Sequence, residues 1–160
     1  KAWRPPDNSV GSEKDQRRNV GRKPALSFVI DTSAVMAILL DESDSELFRH
    51  HLDEHLNPVI SVATLHELYC VVNRGNLTHG TEQTNTLLSL IEPELVPFGI
   101  DQLTVARDAY TAYGRGSGHA ANLNMGDCFA YAWAKSRNLP LLFKGDDFVH
   151  TDIKPALGRP

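Results

Sequence analysis

Short apolar runs alternate with longer amphipathic segments along this 160-residue chain. The first run, Leu26 to Ile30, is partly β-branched and ends abruptly at Asp31, which is typical of a buried parallel strand. Similar runs predict strands at Pro58 to Ile60, Leu95 to Phe98 and Leu141 to Phe143. Short strands separated by helices indicate an α/β fold with a parallel sheet, in which function gathers at the carboxyl ends of the strands.

The amphipathic segments predict the helices between these strands. Thr32 and Ser33 can cap the first helix, Ser61 caps a later one, and Gly75 stops it. An aspartate opens each of the last two helices, and a glycine-rich loop separates them. The predicted helices run through residues 32–40, 43–55, 61–74, 81–91, 101–112 and 127–138.

The first 25 residues differ from the rest in composition. Prolines, glycines and scattered charges replace apolar periodicity, which predicts a flexible basic arm over residues 1–25 and a folded domain over residues 26–160. The arm has 7 basic and 3 acidic side chains, a balance of +4, and the remainder has 9 basic and 17 acidic ones, a balance of −8. An acidic body that binds phosphates needs divalent cations to offset its charge.

Composition excludes several classes of protein. The 41% hydrophobic and 22% charged residues are in the ordinary globular range. No apolar run approaches the roughly 18 residues of a membrane helix, and no secretory pattern is present. The two cysteines, Cys70 and Cys128, are too few and too far apart to indicate a disulfide framework or a thiolate zinc site. We therefore expect a soluble, cytoplasmic protein with no membrane partner.

Several acids follow predicted strands or begin predicted helices. Asp31 follows the first strand, Asp127 lies at a helix start, and Asp146 and Asp147 follow the last strand. Each alone has a simpler interpretation as a helix cap or turn residue, above all Asp127. Because all four acids occur at such positions, we expect them to share one edge of the sheet.

Glu67 lies on an apolar stripe of its helix, between Ala63 and Val71. A carboxylate on such a stripe faces the interior, where it needs a shifted pKa, a partner charge or a metal ion. A buried ion pair with an arginine is the alternative. Carboxylates brought together favour hard cations such as Mg²⁺ or Mn²⁺. The apparent lack of a ligand pair at helical spacing argues against a zinc site, and His66 is interpreted as a surface or hydrogen-bonded histidine.

Four motifs carry these acids in order. V-I-D-T-S-A contains Asp31, H-E-L contains Glu67, N-M-G-D-C-F-A-Y-A contains Asp127, and L-L-F-K-G-D-D-F-V-H-T-D-I contains Asp146 and Asp147. Together they resemble the motifs of PIN-domain nucleases, and specifically of the VapC toxins of bacterial toxin–antitoxin pairs. The resemblance covers residues 28–153, and the last two motifs are its most specific part. The arm is a departure, since such toxins usually begin almost directly at the first strand.

The resemblance implies a three-layer PIN-like fold with a central parallel sheet of about four to five short strands flanked by helices. It also implies an endoribonuclease that cleaves RNA phosphodiester bonds with metal-activated water. Asp31, Asp127 and Asp146 would be metal ligands, and Glu67 would ligate the metal or act as a base. Thr32 would support the site through its hydroxyl, and Asp147 would be a nearby supporting acid.

Three more residues are candidate substrate contacts because of their positions near the predicted site: Asn124, Arg115 and Lys144. Solvated loop residues are the equally plain interpretation of all three. The resemblance further implies a homodimer and a small VapB-like antitoxin whose basic C-terminal segment enters the acidic pocket. The −8 balance of the body agrees with a basic inhibitor.

Three other interpretations compete with this one. A haloacid-dehalogenase-like phosphatase has a similar strand-end aspartate, but it needs a second aspartate two residues later, where this chain has Ser33. A noncatalytic module that binds a basic peptide in an acidic pocket is the second alternative. A dinucleotide-binding domain is disfavoured because no glycine-rich turn follows the first strand.

Overall fold

In a computed structural model, which describes residues 27–54, 57–75 and 77–158, a parallel sheet of four strands forms the centre of the molecule. The strands are β1 (Ser27–Ile30), β2 (Asn57–Ser61), β3 (Glu94–Val96) and β4 (Leu141–Leu142), in the spatial order β3-β2-β1-β4. The register pairs Val29 with Val59 on one side of β1 and with Leu141 on the other. The predicted α/β fold with a parallel sheet is confirmed.

The helices of the described ranges lie on both faces of this sheet. Their bounds are α1 (Thr32–Leu39), α2 (Ser45–Asp53), α3 (Val62–Arg74), α4 (Gly80–Ile91), α5 (Ile100–Tyr113) and α6 (Met125–Arg137), and a short 3₁₀ helix (Asp147–His150) follows β4. Helices α1 to α4 cover one face, where Phe28 and Ile30 point, and α5 and α6 cover the other, where Val29 points. This alternation along β1 gives three layers with two apolar cores.

Several helix starts lie one or two residues from the predicted ones, and Asp31, not Thr32 or Ser33, caps α1. Helix α5 begins at Ile100 after a Gly99 cap, one residue before Asp101, and α6 begins at Met125 after an Asn124 cap. Asp127 therefore lies within the first turn of α6 and does not open it. β4 is also shorter than the predicted strand and ends at Leu142.

The predicted flexible arm and its boundary near Leu26 lie outside the described residues, so they stay predictions. In the described ranges, every helix is too short or too polar to cross a bilayer.

Candidate active site

Asp31 is the first acid of the site and joins β1 to α1. Its side chain caps α1, because Oδ2 accepts hydrogen bonds from the backbone N of Ser33, at 2.9 Å, and from the Ser33 hydroxyl. Asp31 is only 2% exposed, and its buried Oδ1 has no hydrogen-bond partner among the residues that the structure describes. Burial, with a contribution from the charge of Glu67, raises the pKa of Asp31 to about 6. One carboxylate oxygen is therefore available to a ligand.

Glu67 extends from the middle of α3 towards the same edge of the sheet. Its Oε2 accepts a hydrogen bond from Thr32 Oγ1 at 2.7 Å, which links α3 to the first turn of α1. Burial raises the pKa of Glu67, the Thr32 hydrogen bond lowers it, and the negative charge of Asp127 raises it further. The predicted supporting role of Thr32 thus has a defined contact, which orients the Glu67 carboxylate.

Asp127 lies at the third position of α6, where a capping box fixes it. Its Oδ2 accepts from the backbone N of Asn124 at 2.6 Å, and Asn124 Oδ1 accepts from the backbone N atoms of Gly126 and Asp127, at 2.6 and 3.1 Å. Burial raises the pKa of Asp127 to about 6, and the charges of Asp31 and Asp147 add to this effect while Arg115 opposes it. Asp127 can therefore be both a helix-capping residue and a member of the acidic cluster.

These effects connect Asp31, Glu67 and Asp127 into one cluster. The charge of Glu67 raises the pKa of Asp31, and the charge of Asp127 raises the pKa of Glu67. The charge of Asp31 in turn raises the pKa of Asp127. Mutual repulsion of this kind is relieved by a cation. In the parts of the chain that the structure describes, no three His, Cys, Asp or Glu side chains lie close enough to chelate one ion as they stand. The unpartnered oxygen of Asp31 and the repelling carboxylates are oxygen donors of the kind that a hard divalent cation prefers.

The two aspartates after β4 have unequal positions. Both are exposed, but Asp147 raises the pKa of Asp127, whereas Asp146 borders a separate cavity of about 610 Å³ beside Phe143 and Leu157. The charge of Asp147 thus connects this residue to Asp127. The assignment of Asp146 as a metal ligand stays a prediction.

The three candidate substrate contacts also differ from one another. Arg115 follows α5 and acts on Asp127 as a positive charge. The oxygen of Asn124 is occupied by helix capping. The ammonium of Lys144 pairs with Glu42 and with Asp44, the latter at 2.7 Å, so this side chain joins β4 to the start of α2. Of these three residues, Arg115 is the one whose charge lowers the pKa of Asp127.

Sequence reasoning missed two features near the site. Ser33 bridges two motifs, since its hydroxyl donates to Asp31 and accepts from the backbone N of Lys144 at 3.0 Å. His66 and Cys70 are a ligand pair at helical spacing, with Nε2 and Sγ 3.6 Å apart, so the reason given against zinc was wrong. The spacing of four residues in the sequence was the signal for that pair. Two ligands alone do not form a zinc site.

Comparisons with known proteins relate this arrangement to a family. Residues 28–154 match the family model of the PIN domain. Ribonuclease VapC42 of Mycobacterium tuberculosis is 40% identical over 128 residues, which cover 80% of this chain and 98% of that protein. Among solved structures, M. tuberculosis VapC20, a sarcin-ricin loop cleaving toxin, matches with a TM-score of 0.62 at 13% identity, over 80% of this chain and 99% of that one.

A second solved structure, VapBC2 from Rickettsia felis bound to a DNA fragment from their promoter, matches with a TM-score of 0.60 at 16% identity. The match covers 78% of this chain and 91% of that one. At such low identities the two structures support the fold, while the family assignment rests on the domain match and on the sequence of the VapC42 relative.

Proposed function

Because this chain belongs to the PIN-domain family, and to the VapC ribonucleases within it, we propose that it is a Mg²⁺- or Mn²⁺-dependent endoribonuclease and the toxin of a toxin–antitoxin pair. The observation that carries the proposal is the cluster of Asp31, Glu67 and Asp127, whose carboxylates raise one another's pKa around an unpartnered buried oxygen. A cytoplasmic location, where RNA is available, stays a prediction.

The residues of this cluster have distinct parts in the proposed reaction. Asp31 and Asp127 would hold the metal ion with Asp147, and Glu67 would complete the set directly or through water. A bound divalent cation supplies a lower pKa for attacking water and offsets charge on the phosphate. Asp146 is retained as a weaker candidate ligand.

Glu67 is the best placed general base. The Thr32 hydroxyl holds one of its oxygens, and burial raises its pKa above the usual value for a glutamate. A raised pKa makes the carboxylate of Glu67 a stronger base. Arg115 would contact a phosphate of the RNA backbone, because its positive charge lies near Asp127. The paired Lys144 would instead hold the loop after β4.

The same acidic edge of the sheet indicates that a protein partner would be basic. We propose that a VapB-like antitoxin inserts a basic C-terminal segment against Asp31, Glu67 and Asp127, and that the toxin is a homodimer. Two facts support the antitoxin: the chain from residue 26 onward has a −8 balance, and VapBC2 of R. felis was solved as a pair.

The test is cleavage of single-stranded RNA with Mg²⁺, with Mn²⁺ and with EDTA, beside a generic phosphomonoester. We expect RNA cleavage that requires the metal ion and is lost in Asp127→Asn. The matched control is Asp53→Asn, an exposed aspartate at the end of α2, near the start of β2 at the opposite edge of the sheet. Cleavage that survives Asp127→Asn would contradict the proposed site. Monoester turnover without RNA cleavage would favour the phosphatase, and peptide binding without any turnover would favour the noncatalytic module.

A further inference from the structure

Gly126, in the first turn of α6, lies directly against the carboxylate of Glu67. A Cβ atom placed on Gly126 would be 1.8 Å from Glu67 Oε1 and 2.1 Å from Cδ. Carbon and oxygen atoms do not approach so closely without a bond. Only a residue without a side chain leaves room for Glu67 in this position.

The backbone of Gly126 does not itself require glycine. Its conformation is helical, and the glycines with positive φ are Gly116, Gly118 and Gly145. Glycine inside a helix is unfavourable relative to alanine, because it loses more conformational freedom on folding. The close approach of Glu67 therefore explains why this position is occupied by glycine.

The contact acts together with the Thr32 hydroxyl. Thr32 donates to Oε2 of Glu67 at 2.7 Å, while Gly126 adjoins Oε1 of the same carboxylate. Gly126 is itself fixed, because its backbone N donates to Asn124 Oδ1 at 2.6 Å. The cap of α6 thus determines how close the Gly126 Cα comes to α3. The Glu67 carboxylate is held between two elements, α1 and α6, that also carry the other acids of the cluster.

We propose that Gly126 is a positioning residue for catalysis, which sets the place of the Glu67 carboxylate relative to Asp127. This inference rests on the proposed ribonuclease function. An added methyl group displaces the Glu67 carboxylate rather than the backbone, because that carboxylate is the mobile end of a flexible side chain. A displacement of about 1 Å at a reacting group reduces catalysis by up to about a hundredfold.

The test compares Gly126→Ala with Gly99→Ala. Gly99 caps α5 and has an extended backbone that alanine adopts, and a Cβ atom added to it would lie 3.4 Å from its nearest neighbour, Gln102 Oε1. We expect Gly126→Ala to cleave RNA about 10- to 100-fold more slowly and to melt within about 4 °C of the unmodified protein. Gly99→Ala should retain the activity. Unchanged activity in Gly126→Ala overturns the proposal.

A double variant distinguishes positioning from a general structural effect. In the Glu67→Gln background, Gly126→Ala should reduce the remaining cleavage by less than about twofold, because both changes remove the same placed carboxylate. If the double variant loses activity by the full product of the two single-variant losses, the proposal is overturned. A crystal structure of Gly126→Ala gives a readout independent of activity, in which the Thr32–Glu67 hydrogen bond should be broken. If that bond is broken but the unmodified protein cleaves no RNA, the proposed function fails while the steric role of Gly126 stands. An unbroken bond overturns that role.

Discussion

Asp31 and Asp152 have opposite surroundings. Asp152 accepts hydrogen bonds from Tyr131 Oη at 2.7 Å and from Lys135 Nζ at 2.5 Å, and the Lys135 contact is the main reason that its pKa lies below the usual range. Asp31 is contacted by Ser33 and repelled by Glu67, and burial raises its pKa to about 6. The carboxylate of Asp152 is neutralised by its partners, whereas that of Asp31 is buried with one oxygen unpartnered among the described residues.

Helix α6 contributes to both regions. Its first turn carries Asp127, while Tyr131 and Lys135, one and two turns later, hold the segment after the 3₁₀ helix through Asp152. The difference separates Asp31, Glu67 and Asp127, which are wholly or partly buried and have raised pKa values, from an acid such as Asp152 that is neutralised by a cation. The following changes separate the two regions, from the largest expected effect to the smallest.

Asp127→Asn should have the largest effect on activity. The amide keeps the size of the side chain but removes a charged oxygen ligand, so the rate of RNA cleavage should fall by about a thousandfold or more. Initial rates with a fluorescent RNA in Mn²⁺ measure this change. Asp152→Asn is the comparison from the paired region, and it should retain activity within about threefold. Equal losses in the two variants would remove the distinction between the regions.

Stability without divalent cations should fall as the pH rises from about 4 to above 6. A carboxyl group whose pKa is raised on folding stabilises the folded state below its unfolded pKa, and this contribution is lost as the pH rises through the folded pKa. For Asp31, whose pKa rises from 3.8 to about 6, the loss is on the order of 3 kcal/mol. Urea unfolding at pH 4 and pH 7.5 measures it.

Two controls sharpen that measurement. Mg²⁺ should restore most of the lost stability at pH 7.5, because it binds the folded state. Asp31→Asn should reduce the dependence on pH, since it removes one of the three carboxyl groups of the cluster with a raised pKa and leaves Glu67 and Asp127 in place. If the stability of Asp31→Asn fell with rising pH as steeply as that of the unmodified protein, the assignment of the effect to Asp31 would be contradicted.

Asp147→Asn should reduce cleavage by about 10- to 30-fold, and Asp146→Asn by less than about threefold. The reason is that Asp147 acts on Asp127 while Asp146 faces another cavity. The two neighbouring aspartates are matched controls for each other, because each substitution removes one exposed charge from the same loop. A larger loss in Asp146→Asn would agree with the ranking that the motif implies.

Lys135→Met should lower stability by only about 1 kcal/mol and leave cleavage unchanged. Its ion pair with Asp152 is half exposed, at 47% for each side chain, so solvent screens much of the attraction. The contribution is present above the usual aspartate pKa and declines as the pH falls through the lowered pKa of Asp152. Thermal melts at pH 3 and pH 7 measure the change, and loss of RNA cleavage would show that the paired region also serves catalysis.

Local patterns were sufficient to predict the fold and two of the acids that the structure brings together. Asp31 could be located because a β-branched run ends at it, and Glu67 because its helical neighbours are apolar. The start of α6 could not be located to the residue, because the side-chain hydrogen bonds of Asn124, and not the apolar pattern, determine the cap.

Contacts between distant residues were beyond sequence reasoning. The motif places Lys144 near substrate, yet its partners Glu42 and Asp44 lie about a hundred positions earlier in the chain. Asp146 and Asp147 share one motif, and only the 3₁₀ turn that follows β4 decides which of them acts on Asp127. The close contact between Gly126 and Glu67 likewise depends on how α3 and α6 pack.

The most direct test of the acidic cluster is a calorimetric titration of the protein with Mn²⁺ at pH 7.5. The cluster predicts binding that is lost or greatly weakened in Asp31→Asn and in Asp127→Asn, and kept in Asp152→Asn. Equal Mn²⁺ affinity in all four proteins would contradict the claim that Asp31 and Asp127 form the metal site.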